Sequence, residues 1–189
     1  MSFVPSTFPI LSTVRLRLRQ LNLYDSDEIF VLRSDASVNQ YLGREKAKTL
    51  QDAKDFINRI NFASDNQPSF FWAICLEGDD KLVGTICLWN FSPQKDKAEI
   101  GYELLPQYQG RGIMQEAARK VIEFGFGVLQ LSTIEAWTVG ENNSSIRLLE
   151  RNNFIRNSEL EKNIDRAVEG PDLVIYTLSK EQFSSSVAL

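Results

Sequence analysis

Apolar and polar residues alternate over Thr13–Arg19, with Val14, Leu16 and Leu18 set between Arg15, Arg17 and Arg19. A period of two predicts a half-buried strand over 13–20, with the aliphatic set facing inward and the arginines facing water. Helical patterning follows near 25–34 and 49–63. Three runs rich in aromatic and β-branched residues, at 69–77, 82–91 and 96–104, predict strands. The turn-forming segments Glu77-Gly78-Asp79-Asp80 and Ser92-Pro93-Gln94-Lys95-Asp96 join them. Ile113, Ala117, Val121, Phe124 and Val128 then recur at helical spacing, which predicts a helix over 111–128. A strand at 133–139, a helix at 144–152 and strands near 154–160 and 172–179 complete the pattern, and Ser184-Ser185-Ser186 reads as a frayed end. Three meander strands followed by strand–helix–strand make an α/β (α+β) chain with a mixed sheet and helices on both faces.

Composition narrows the function classes. The chain has 189 residues, 43% hydrophobic and 24% charged, which fits one globular domain over 1–189. The net charge is −4 and no block of Lys and Arg stands out, so a nucleic-acid partner is not expected. No apolar run reaches spanning length and no signal peptide is evident, so no membrane partner is expected. Cys75 and Cys87 lie in apolar strand runs and read as buried free thiols, in keeping with a cytoplasmic protein. The chain has no His, and no metal site is expected.

The segment Gln107-Tyr108-Gln109-Gly110-Arg111-Gly112 carries the clearest chemical signal. It lies between the strand Ala98–Leu104 and the helix that opens near Ile113. The first N–H groups of a helix lack internal partners, and the helix dipole favours an anion in front of them. Gly110 and Gly112 carry no Cβ, so the backbone there can approach a ligand closely. The turn is therefore a candidate pyrophosphate cradle. It is not a P-loop, because no Lys-Ser or Lys-Thr follows the glycines, and it lacks the third glycine of a dinucleotide fingerprint. The spacing is Q-x-x-G-x-G, which by itself also fits a surface turn.

With its surroundings, this turn resembles the GNAT superfamily of acetyl-CoA-dependent N-acetyltransferases, whose pyrophosphate motif is Q-x-x-G-x-G between strand and helix. Four further segments are similar to the RimJ/RimL branch of ribosomal-protein N-terminal acetyltransferases. They are Thr13–Arg19, Gly112-Ile113-Met114-Gln115-Glu116-Ala117, Ile134-Glu135-Ala136-Trp137 and Asn142–Phe154. The resemblance covers roughly residues 10–180. It implies a mostly antiparallel central sheet of about seven strands, splayed to form an acyl-CoA cleft. It also implies acetyl transfer from acetyl-CoA to a primary amine, a protein N-terminus or a small molecule, by direct attack in a ternary complex, without a metal. The alternative is a non-catalytic acyl-CoA sensor of the same fold. Monomer and homodimer are both compatible with the sequence.

The resemblance assigns the cradle to Gln107, Gln109, Gly110, Arg111 and Gly112 with the N–H groups of Ile113 and Met114. It runs the pantetheine arm along Leu104 and Leu105, where a backbone N–H near Leu104 would meet the oxyanion. Asn142 would bond the arm, and Ser145 would lie near the thioester sulfur; both also suit a helix N-terminus. The general-acid Tyr of many relatives is Leu149 here, so Ser145 or a water must protonate the thiolate. Glu99 and Glu103 stand four apart on one strand face and are the candidate bases, with solvent-facing structural roles as the alternative. Glu116, in the helix's first turn, reads as structural. Tyr41 and the 35–48 loop are the expected acceptor border.

Overall fold

The structure, a computed structural model, describes residues 7–66, 69–165 and 172–187. The strands are β1 (Leu11–Ser12), β2 (Leu16–Gln20), β3 (Phe70–Leu76), β4 (Leu82–Trp89), β5 (Lys97–Leu104), β6 (Thr133–Val139), β7 (Ile155–Arg156) and β8 (Leu173–Ser179). The α-helices are α1 (Ser26–Ser34), α2 (Leu50–Asn66), α3 (Ile113–Gly127), α4 (Asn143–Arg151), α5 (Ser158–Glu161) and α6 (Lys180–Val187). Among the described residues, all eight strands form one sheet in the order β1-β2-β3-β4-β5-β6-β8-β7. Every pairing is antiparallel except β5 with β6. This is the mixed, mostly antiparallel fold expected, with one strand more because β1 adds a two-residue edge.

Two cores sandwich the sheet. On one face α3 buries Ala117, Val121 and Phe124 against Trp72, Leu88 and Ile134. On the other, α1 and α2 bury Ile29, Leu32 and Ile57 against Ala73 and Leu82. The central strands are covered on both sides, which is why β3 and β4 read as continuous apolar runs rather than alternating ones.

Pattern reading falls short in four places. Val14 is 92% exposed: it sits in the turn before β2, and only Leu16 and Leu18 point into the core. The arginines of β2 are not simply solvated, since Arg19 makes a two-point pair with buried Asp25 at 2.7 and 2.8 Å. The strand expected over 154–160 stops at Arg156. There Asn157 Oδ1 accepts the Leu160 N–H at 3.1 Å and opens α5, and Glu161 returns to Arg156. The serines expected to fray belong to α6: Ser184 and Ser185 donate to the carbonyls of Lys180 and Glu181, and Phe183 packs on Phe126 at 5.2 Å between ring centroids. Cys75 and Cys87 are buried and free, and burial pushes both thiols up, Cys75 to about 11.

Candidate active site

The site begins where β5 and β6 part. Their parallel pairing holds only Lys97, Ala98 and Glu99 against Thr133, Ile134 and Glu135. From Ile100 to Leu104, β5 stays paired to β4 alone. Leu105 donates its N–H to the Val83 carbonyl at 3.0 Å, on the β4 side. Backbone N–H groups alternate in direction along a strand, so the Leu104 N–H faces the split. The Leu104 carbonyl accepts from the Gln109 side-chain amide at 3.0 Å. The chain leaves β5 through a single 3₁₀ turn, Pro106–Tyr108, and reaches α3 within a few residues.

Gly110 and Gly112 both adopt φ +73°, a left-handed conformation that side chains rarely take. Gly112 is the N-cap of α3 and provides no side-chain cap, so the first N–H groups of α3 keep their capacity for an external anion. A Cβ on Gly110 would meet nothing within 4 Å, so the strand-to-helix turn presents bare backbone to the space in front of it. That geometry fits a pyrophosphate.

The turn is braced from behind. Arg15 donates from Nε to Glu116 Oε2 at 2.6 Å and reaches the carbonyls of Arg111 and Gly112 at 3.2 and 3.4 Å. Thr13 also donates to Glu116. Burial pushes the Glu116 carboxyl up, but the bonds from Thr13 and Arg15 outweigh it and hold the group below its ordinary value. Glu116 is thus structural in position, as the sequence indicated.

A cavity of about 430 Å³ runs from this turn to the 35–48 loop. Its cradle end is lined by Gln109, Gly110, Gly112, Ile113 and Met114, and its middle by Tyr102, Glu103, Leu104, Asn142 and Ser145. Its far end is lined by Ser37, Val38, Tyr41 and Leu42. Tyr102 and Glu103 point to opposite faces of β5. A cavity touching both therefore passes through the sheet at the split. Of the residues selected from sequence, Leu105, Gln107, Arg111 and Glu99 lie outside this lining: Leu105 is buried in the α1/α2 core, while Gln107 and Arg111 are exposed.

The two carboxylates of β5 stand apart on the strand. Four strand residues separate their Cα atoms by about 13 Å. Glu103, at the cavity, is gripped at two points by Arg44, with one contact at 2.8 Å, and Arg44 Nε also donates to buried Asn39 at 2.9 Å. This chain of bonds ties the 35–48 loop to the strand. Glu99 lies one rung into the paired region beside Glu135, within 3.4 Å of the Asn90 amide.

Asn142 caps α4: its Oδ1 accepts the Ser145 N–H at 3.2 Å and the Ser144 hydroxyl at 2.8 Å. Ser145 turns its hydroxyl to Tyr102, with 2.7 Å between the two oxygens. Burial pushes the Tyr102 phenol up to about 12, and the bond to Ser145 opposes that only in part. Sequence reasoning missed Tyr102. The available signal was parity: on β5 it shares a face with Ala98 and Ile100, toward α3 and α4. Leu149 is buried, and Asn153, in the left-handed region at φ +63°, stops α4.

Residues 15–155 match the family model described as an acetyltransferase (GNAT) domain. The uncharacterized N-acetyltransferase YoaA of Bacillus subtilis (strain 168) is 31% identical over 173 residues, covering 92% of this chain and 98% of that protein. A crystal structure of a GNAT-family acetyltransferase from Bacillus anthracis superimposes with a TM-score of 0.77 at 25% identity, covering 92% of this chain and 99% of the other. The RimL ribosomal L7/L12 alpha-N-protein acetyltransferase in complex with coenzyme A gives the same TM-score at 17% identity, over 90% and 98% of the two chains, a likeness of fold.

Proposed function

The chain belongs to the GNAT acetyltransferase family, and on that premise we propose that it moves an acetyl group from acetyl-CoA to a primary amine by direct attack in a ternary complex. One observation carries the reading: the bare-backbone turn before α3 opens into the same cavity as the β5/β6 split and the 35–48 loop. A cofactor with a pyrophosphate at one end and a thioester at the other needs that continuity.

The N–H groups of Ile113 and Met114, with Gly110 and Gly112, receive the pyrophosphate. Arg111 and Gln107, exposed beside the turn, add charge and hydrogen-bonding capacity for the outer phosphates. The pantetheine arm lies along the unpaired edge of β5 from Ile100 to Leu104, and Asn142 flanks it. The Leu104 N–H, facing the split, is the donor for the developing oxyanion. The amine enters past Tyr41 and Leu42. Of the two candidate bases, Glu103 borders the cavity, and Arg44 fixes its carboxylate in one orientation. Proton removal is assigned to Glu103 directly or through a water, with Glu99 as the alternative base. Ser145 faces the thioester sulfur.

The relatives frame the acceptor classes: one matched structure is named as a ribosomal L7/L12 N-terminal acetyltransferase, so a protein N-terminus joins small amines as an acceptor. The test is release of free thiol from acetyl-CoA in the presence of a panel of amines and N-terminal peptides. Amine-dependent release supports the transferase. Tight acetyl-CoA binding with no release for any amine returns the chain to an acyl-CoA sensor.

A further inference from the structure

Among the described residues, the hydrogen bond between Tyr102 and Ser145 is the one polar contact joining β5 to α4 across the cavity. Tyr102 comes from the strand edge that has lost β6, and Ser145 from the first turn of α4. No other partner for either hydroxyl is found among the described residues. The Ser145 N–H is already taken by Asn142, so Ser145 is not itself the helix cap, and its hydroxyl serves no capping role.

The direction of the bond follows from acidity. A phenol is the stronger acid of the two hydroxyls and so the better donor. On that ground Tyr102 is assigned as the donor and Ser145 Oγ as the acceptor, the 2.7 Å separation fitting either direction. A serine oxygen that accepts from one side turns its own hydrogen to another, and the open direction is the cavity that both residues line. Burial keeps the phenol protonated, so the arrangement holds through the neutral range.

We propose that Tyr102 is a positioning residue of acetyl transfer, fixing the Ser145 hydroxyl so that its O–H points at the departing sulfur. The inference rests on the acetyltransferase reading above. In the step itself the amine lone pair forms the N–C bond. The C–S bond breaks and its electron pair stays on sulfur, and the developing thiolate accepts a hydrogen bond from Ser145. The amine proton leaves to the base and then to solvent. The thiolate takes its proton from solvent, so no net proton is drawn from Tyr102.

The experiment compares wild type, Tyr102→Phe, Ser145→Ala and the double variant, reading kcat and KM for acetyl-CoA by thiol release, acetyl-CoA affinity by calorimetry and melting temperature on each sample. Tyr102→Phe should lower kcat about tenfold, the worth of one well-placed hydrogen bond. The affinity for acetyl-CoA should change less than about twofold. The double variant should be no slower than Ser145→Ala alone, because without the hydroxyl there is nothing left to aim. In a Ser145→Thr background, which keeps a hydroxyl, Tyr102→Phe must still slow turnover. Losses that multiply in the double variant, or an unchanged kcat in Tyr102→Phe, overturn the positioning role while leaving the transferase intact. A wild type that binds acetyl-CoA but releases no thiol with any amine overturns both.

Discussion

Arg15 and Glu116 lie 101 positions apart in sequence and are joined at 2.6 Å, and the same guanidinium reaches the backbone carbonyls of Arg111 and Gly112. The entry to β2 thus holds the rear of the turn whose front faces the cavity. Arg15→Ala should weaken acetyl-CoA binding several-fold although Arg15 does not line the cavity. Its side chain is 52% exposed, so the cost in stability should stay within about 1 kcal/mol. Calorimetry with acetyl-CoA, paired with thermal melting, separates the two effects; an unchanged affinity would show that the turn holds its shape without the brace.

The pH sign of that brace is fixed by Glu116, whose carboxyl is held below its ordinary value in the native state. A depressed carboxylate contributes stability that is complete above its unfolded value and is lost as the pH falls through the folded one. Glu116→Gln should therefore narrow the melting-temperature gap between neutral and acidic buffer relative to wild type. Parallel acid profiles for the two proteins would mean that the brace carries no linkage.

Gly110→Asp and Gly112→Asp should each abolish acetyl-CoA binding with the fold retained. Both positions have φ +73°, where Asp costs about 1–2 kcal/mol, and a Cβ at Gly110 touches nothing within 4 Å. The fold therefore tolerates the change, but the added carboxylate lies where a pyrophosphate would sit. Circular dichroism and ligand titration on one sample decide it. Undiminished affinity would move the cradle elsewhere.

Glu103→Gln and Glu99→Gln should separate the two carboxylates. The one that serves as base should lose roughly 10²–10⁴ in kcat and its acidic pH limb, with acetyl-CoA binding retained. Glu103 also anchors Arg44, so Arg44→Gln is the needed control: it releases the 35–48 loop and keeps the carboxylate. If Arg44→Gln reproduces the whole loss of Glu103→Gln, Glu103 acts by holding the loop, and proton removal falls to Glu99 or water.

Sequence made local features legible and left the long-range ones hidden. The glycine turn before α3 could be read because glycines before a helix have a local cause, and strands β3, β4 and β6 because their runs match the pleat. Tyr102 was hidden because its role depends on where β6 leaves β5, and strand splay leaves no mark in the pattern of either strand. Arg44 was hidden for a related reason: a basic residue in a loop reads as solvated until the fold brings Glu103 and Asn39 beneath it. Val14 was misplaced because alternation continues into a turn without changing period.

Asn142 caps α4 through the Ser145 N–H, and on the proposed mechanism Ser145 acts through its hydroxyl, a division that mutation can read. Asn142 Oδ1 takes the Ser145 N–H, so Asn142→Ala removes the cap of α4 and should cost about 1 kcal/mol, seen as a lower melting temperature. Ser145→Ala keeps that cap, since the donor is the backbone N–H, and loses only the hydroxyl. Its stability should fall by about 1–3 kcal/mol, as the buried Tyr102 phenol loses its acceptor. Its kcat should fall further than its affinity for acetyl-CoA, because a hydroxyl directed at the sulfur acts mainly as the C–S bond breaks. Melting temperature, kcat and acetyl-CoA affinity measured on both variants test the division. A Ser145→Ala protein that melts early but turns over normally would make the serine a packing partner of Tyr102 and leave the thiolate to solvent.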